Sequence, residues 1–155
     1  MASFESMAEE TILIASDHAG FEMKEKLEHA LERLGYGVRD LGTDSAESTD
    51  YADYAHPLAQ EVSEGRARRG VLLCGTGLGM SYVANRYPHV RAAVAWSPEI
   101  ARLARQHNDS NVLVIPARFL SEEDGVNILK TWLDTPFEGG RHQRRVEKID
   151  RPLDD

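Results

Sequence analysis

The sequence predicts an α/β fold: an open parallel sheet of five strands with helices on both faces. Three observations carry that prediction. Five short apolar runs alternate with helical stretches along the 155 residues. No hairpin turn signal joins any two of the runs, so each return to the sheet needs a crossover, which makes the strands parallel. Polar and glycine-rich residues gather after the first and third runs, at the carboxyl ends where such sheets bind ligands.

Residues 1–10 read as a flexible leader, with three glutamates and no apolar core. Thr11-Ile12-Leu13-Ile14-Ala15-Ser16 is a first strand of the buried type, broken at Asp17-His18-Ala19-Gly20. Phe21, Met23, Leu27, Leu31 and Leu34 then line one face of a helix, which Gly35 and Gly37 stop. Val38 to Leu41 is the second strand and Gly42 to Asp53 a polar loop. The next helix is expected from about Tyr54 to Glu64, which keeps Pro57 in the first turn, where its missing N–H is harmless.

A third strand from Gly70 to Cys74 runs into Gly75-Thr76-Gly77-Leu78-Gly79, and a short helix is expected over Ser81 to Arg86. Arg91 to Ala95 is the fourth strand. Ser97-Pro98 caps and opens a helix to about Gln106, with His107-Asn108-Asp109 following it. Val112 to Ile115 is the fifth run. Ser121 to Asp124 forms a capping box that opens a helix to about Leu133. Pro136 to Gly140 is a break, and a basic segment starts at Arg141. Residues 11–150 thus form one domain, and 151–155 a tail.

Composition narrows the function classes. Hydrophobic residues at 41% and charged residues at 28% are values of a soluble globular domain with a real core. A net charge of -8, with the acids spread along the chain, opposes nucleic-acid binding. A small anionic ligand needs only a local arginine cluster and stays open. A single cysteine excludes an intramolecular disulfide. With no signal peptide and no apolar run of membrane-spanning length, a cytoplasmic location without membrane partners is the expectation.

The densest chemical feature is Cys74 with the glycines that follow. The G-x-G-x-G spacing after a third strand is neither a P-loop, which needs Gly-Lys-Ser/Thr, nor the dinucleotide fingerprint, which follows a first strand. Two readings stand: a tight strand-to-helix turn, or a loop whose N–H groups face an anion. Cys74 is either a small buried hydrophobe or a sulfur whose negative form the following helix start favours. A phosphatase nucleophile would need arginine where Met80 stands, and a redox Cys-x-x-Cys would need cysteine at Gly77. A proton-abstracting base or plain packing is left.

His18 and His107 each have a surface or capping reading beside a functional one. They lack the close pairing of a metal-binding helix, so no metal site is assigned. Arg141 and Arg145, four apart, would share a helix face and with Arg118 clamp a phosphate. The plainer reading is a solvated basic helix end.

Five segments stand together: Ser16-Asp17-His18-Ala19-Gly20, Thr49-Asp50-Tyr51, Cys74 to Gly79, Arg105-Gln106-His107-Asn108-Asp109-Ser110-Asn111-Val112-Leu113, and Glu138-Gly139-Gly140-Arg141-His142-Gln143. Their order and content, from Ile12 to about Ile149, resemble the family of type B ribose-5-phosphate isomerases, galactose-6-phosphate isomerases and allose-6-phosphate isomerases. The resemblance implies a Rossmann-like three-layer αβα sandwich with a C-terminal helical extension. It implies aldose–ketose isomerisation through a cis-enediolate, with no metal and no organic cofactor.

Carried over by position, Cys74 would move the proton between C1 and C2, with Thr76 assisting at the substrate oxygens. N–H groups from Gly75, Gly77 and Gly79 would hold the enediolate oxygen. His107 would open the furanose ring. Asp17 and Asn108 match hydroxyl-binding or ring-opening positions; His18, Arg118, Arg141 and Arg145 match the phosphate surroundings, and Tyr51 lies near the sugar. The resemblance also implies a homodimer, or a tetramer, with sites at the subunit interface and the C-terminal segment reaching across.

Some positions depart from the family pattern. One branch carries a glutamate where Met80 stands and lacks the cysteine, so this chain falls in the cysteine-base branch. Trp96 is bulkier, and Ala52 replaces a common proline. Pentose-phosphate isomerisation is therefore the leading expectation. The alternatives are a six-carbon phosphosugar (allose 6-phosphate or galactose 6-phosphate) as substrate, or a non-catalytic phosphosugar-binding module.

Overall fold

The computed structural model of the protein describes residues 10–153. All of the expected leader except Glu10 lies outside the described residues, as do the last two residues of the tail. Glu10 itself is held, its carboxylate accepting from Arg69 Nη2 at 2.7 Å.

The five apolar runs form β1 (Thr11–Ser16), β2 (Gly37–Asp40), β3 (Gly70–Cys74), β4 (Ala92–Val94) and β5 (Val112–Pro116). All pairings are parallel, in the order β2-β1-β3-β5-β4. β3 and β5 are buried along their whole length because helices cover both faces, which is why they are apolar without alternation. The helices are α1 (Phe21–Arg33), α2 (Tyr51–Ser63), α3 (Leu78–Ala84), α4 (Pro98–Asn108), α5 (Glu122–Asp134) and α6 (Arg141–Glu147).

Residue alternation along the strands builds two cores. Ile12, Ile14, Val71, Leu73 and Leu113 pack with α1, α4 and α5 on one face. Leu13, Ala15, Leu72, Cys74 and Val114 pack with α2 and α3 on the other. The crossovers from β1 to β2 and from β2 to β3 thus leave on opposite faces, which makes the crevice between the carboxyl ends of β1 and β3 the topological switch point.

Three boundaries differ from expectation, each for a local reason. α2 starts at Tyr51 rather than Tyr54, which puts Pro57 in the helix interior. Pro57 and Asp53 both lie on the exposed face, so the Asp53 carbonyl that proline leaves unbonded faces water. α3 starts at Leu78, because Gly77 adopts φ 78° and serves as its N-cap. α4 runs on to Asn108, since no glycine stops it until Asp109 takes the left-handed conformation, φ 49°. The basic segment after Gly140 is a helix, α6, the C-terminal helical extension that the resemblance implied.

Lys24 on α1 is 1% exposed, and its ammonium donates to Asp40 Oδ2 at 2.5 Å and lies 3.9 Å from Glu28 Oε1. Burial first, then the adjacent Asp40 carboxylate, push Glu28 up to about 7. For Asp40 the hydrogen bonds it accepts outweigh desolvation, and its carboxyl is held below the ordinary range.

Candidate active site

One set of predicted residues meets at the switch point. β3 delivers Cys74, 4% exposed, with its side chain on the α2–α3 face. Asp17 follows β1 directly, its N–H donating to the Leu73 carbonyl at 3.2 Å. Asp17 Oδ1 accepts from the Ala19 and Gly20 amides, so one oxygen caps the turn while the second stays available to a ligand.

His18 is held by a reciprocal pair with Thr49. The His18 N–H donates to Thr49 Oγ1 at 3.0 Å, and the Thr49 N–H donates to His18 Nδ1 at 3.1 Å. An Nδ1 that accepts from an amide lacks a proton, so the neutral ring carries its hydrogen on Nε2. That leaves a donor for an anion. Thr49 lies in the Thr49-Asp50-Tyr51 segment with no role of its own in the sequence; only the fold brings it to His18.

The three glycines have three different duties. Gly75 anchors through its carbonyl, which accepts from the Arg118 N–H at 3.1 Å. A Cβ at Gly75 would stand 3.1 Å from Arg118 Cδ and 3.2 Å from Nη1, so the guanidinium arm lies directly over this residue. Gly77 supplies the positive φ. Gly79 is inside α3, and the Tyr51 ring packs so closely on it that a Cβ would come within 2.5 Å of Tyr51 Cε1. The Thr76 hydroxyl accepts from the Leu78 N–H at 3.2 Å, which leaves its own hydrogen to donate.

The other predicted residues lie elsewhere. His107 and Asn108 end α4, so His107 sits within the helix's last turn rather than beyond it. The chain then returns to the amino-terminal end of the sheet, where Asn111 accepts from the Gly70 N–H at 3.0 Å. Cys74 lies four residues farther along β3, about 13 Å at the usual rise per residue. Asn108 faces a cavity of about 360 Å³ shared with Arg91, Ala104 and Ile149. Arg141 and Arg145 are on α6, which docks on α4 through His142, whose ring stacks on His107 with centroids 4.3 Å apart and planes 14° apart.

Glu138 Oε1 stands 3.7 Å from His107 Nε2 and 3.5 Å from His142 Nε2. Burial, then His107 and Arg141, hold the His142 pKa below the ordinary imidazole value, against the pull of Glu138. Glu138 and His142 went unassigned in the sequence because their partner belongs to a different helix. The predicted residues thus fall into two groups by their place in the fold. Asp17, His18, Tyr51, Cys74, Thr76 and Arg118 form one; His107, Asn108, Arg141 and Arg145 form the other.

A thiol, an aspartate and an arginine gathered at the switch point of a parallel sheet define the class: an α/β enzyme with a small-molecule site. The Ribose/Galactose Isomerase family model matches residues 12–149. Ribose-5-phosphate isomerase B of Escherichia coli is 44% identical over 138 residues, 89% of this chain and 93% of that protein. The crystal structure of a ribose 5-phosphate isomerase from Thermotoga maritima matches with a TM-score of 0.89 and 52% identity, covering 93% of this chain and 99% of that one. Ribose-5-phosphate isomerase B of Mycoplasma genitalium, solved with bound ribulose-5-phosphate, has a TM-score of 0.89 and 39% identity over 92% of this chain and 95% of its own. The chain belongs to the ribose/galactose isomerase family and is an isomerase, as its five segments implied. Among the described residues, no helix is long and apolar enough to cross a membrane.

Proposed function

We propose that this chain interconverts ribose 5-phosphate and ribulose 5-phosphate, with Cys74 as the base. The thiolate takes the proton from C2 of the open-chain aldose. The resulting cis-enediolate becomes the ketose when the O2 proton passes to O1 and the Cys74 proton is delivered to C1, which restores the thiolate. One observation carries this reading: the lone thiol stands at the carboxyl end of β3 with Asp17, Arg118 and the glycine turn around it. The Gly75 carbonyl is engaged by the Arg118 N–H and the Leu78 N–H by the Thr76 hydroxyl, so the amides assigned to the enediolate oxygen are those of Gly75, Gly77 and Gly79. Each such donor contributes about 10²–10³-fold in rate.

A second copy of the chain completes the pocket. His107 of that copy opens the furanose ring, because only the aldehyde form has an acidic C2 proton. Arg141 and Arg145 of that copy join His18 at the phosphate, and Asn108 binds a hydroxyl. Leu78, Tyr82 and Trp96, 48%, 63% and 59% exposed, give the Cys74 side of the molecule an apolar rim suited to a subunit contact. The cytoplasm, which keeps a single thiol reduced, suits this chemistry.

The test is Cys74→Ala, with turnover of ribose 5-phosphate followed in the presence of EDTA and folding followed by thermal melt. Turnover should fall about 10²–10⁴-fold, the range of a lost acid–base group, with the melt cooperative. Full activity would remove Cys74 from the chemistry. Wild-type protein that binds the phosphosugar but exchanges no C2 proton in deuterated water would be a binding module. Faster turnover of a six-carbon phosphosugar would move the assignment there, with Trp96 the first residue to vary.

A further inference from the structure

We propose that His107, Glu138 and His142 bind a divalent transition-metal ion of the zinc class, and that occupancy of this site inhibits turnover. Each residue offers one ligand atom, and all three atoms lie within 4.8 Å of one another. The near-parallel stack of the two imidazoles turns both Nε2 edges toward the same Glu138 carboxylate. Two imidazoles and one carboxylate are a donor set for zinc, and they leave a fourth position for water. Calcium and magnesium prefer all-oxygen shells and fit it poorly.

Ligand bonds of about 2.0–2.2 Å require the donors to close by roughly an ångström. The structure allows that. The side chains of His107 and Glu138 are 41% and 50% exposed, so both can turn, and an ion can reach them from solvent. His142 is fixed by the stack and by the docking of α6, and its side chain is 11% exposed. Glu138 is the only anion among the three donors, and Arg141 and Arg145 on the same segment work against a cation. The affinity is therefore that of a reversible regulatory site rather than a structural one.

The inhibitory consequence rests on the ring-opening role proposed for His107. An Nε2 whose lone pair is committed to a metal can neither accept nor return a proton. Ring opening would stop while Cys74 and its loop stayed intact.

The experiment titrates EDTA-stripped wild-type protein, Glu138→Gln and His142→Asn with zinc chloride by calorimetry, and with cobalt(II) by its d–d absorption. Wild type should take up one ion per chain, and each substitution should weaken binding at least about tenfold. Turnover should fall as zinc saturates and return with EDTA. Glu138 is exposed, so its variant reports on binding even if His142→Asn unfolds. Zinc binding that survives both substitutions, or that disappears in Cys74→Ala, overturns the site. Binding lost in both variants while wild-type turnover ignores zinc keeps the site and overturns the role of His107.

Discussion

Mixing two nearly inactive variants should restore activity. In one chain Cys74 and His107 stand at opposite ends of the sheet, with the Asn111–Gly70 hydrogen bond of 3.0 Å marking the far end. About 13 Å of β3 then separates that level from Cys74. A proton carrier must come within about 3 Å of its target, so no rotation of His107 serves the Cys74 of its own chain. In the proposed dimer, Cys74→Ala and His107→Ala chains each lack one group in every pocket, and each alone should retain only a small residue of wild-type turnover. In a mixed dimer, one pocket takes its thiol from the His107→Ala chain and its imidazole from the Cys74→Ala chain, and is intact. The opposite pocket lacks both.

Random pairing makes half of the dimers mixed, and each has one working pocket of two. The recovered turnover should be about a quarter of wild type, a figure fixed by symmetry alone. The assay is coupled turnover after joint denaturation and refolding, with differently tagged chains so that mixed dimers can be counted. Mixed dimers present in the expected share without recovered turnover would refute the divided site. So would turnover near a quarter of wild type in either variant by itself.

Two further substitutions test local physics. Gly79→Ala sets a helix gain of about 1 kcal/mol against a Cβ 2.5 Å from Tyr51 Cε1. Tyr51 is 42% exposed and its ring has room to swing away, so stability should stay within about 1 kcal/mol of wild type while KM for the phosphosugar rises. Denaturant titration and steady-state kinetics check the two halves, and an unchanged KM would remove Tyr51 from the sugar. Glu28→Gln should make stability less sensitive to alkaline pH. The folded protein holds a Glu28 proton from the ordinary 4.5 up to about 7, so its contribution is complete below 4.5 and is lost as pH rises through 7. Partial solvent screening reduces the gain of the variant over wild type, between pH 5 and pH 8, to about 1 kcal/mol. A difference that does not change with pH would refute it.

The strands were legible because a doubly covered parallel sheet demands unbroken apolar runs, and β1, β3 and β5 begin where those runs begin. Helix starts were less legible, because they depend on which face a residue ends up on. Pro57 argues for a late start only if the carbonyl it leaves unbonded is buried, and the fold leaves Asp53 exposed. Gly79 looked like loop for the same kind of reason: the sequence shows a glycine, but only the fold shows that the Tyr51 ring occupies the space of its side chain. The motif residues were recognisable as a set, yet nothing linear says that His107 and Cys74 point away from each other. Glu138 and His142 were silent because their meaning is a three-body arrangement across α4, α6 and the loop that leads into α6.

The proposed division of the site also bears on how an acidic protein would hold an anionic substrate. At a net charge of -8 the long-range field repels a phosphosugar, so the attraction must come from cations a few ångströms away. The Cys74 half-site has Arg118 and the His18 Nε2 donor, while Arg141 and Arg145 stand on the α6 of the proposed second copy. A ligand that touches both copies binds only their complex, and by mass action it must tighten their association as much as their association tightens it. The rigid strand ends then hold the groups whose positions the proton transfer needs to a fraction of an ångström. The cations, which act over longer distances, can sit on a short exterior helix whose placement is less exacting. That assignment of duties follows from the distance dependence of the two kinds of interaction, and it gives the basic segment at Arg141 a reason to be helical, exposed and docked on α4.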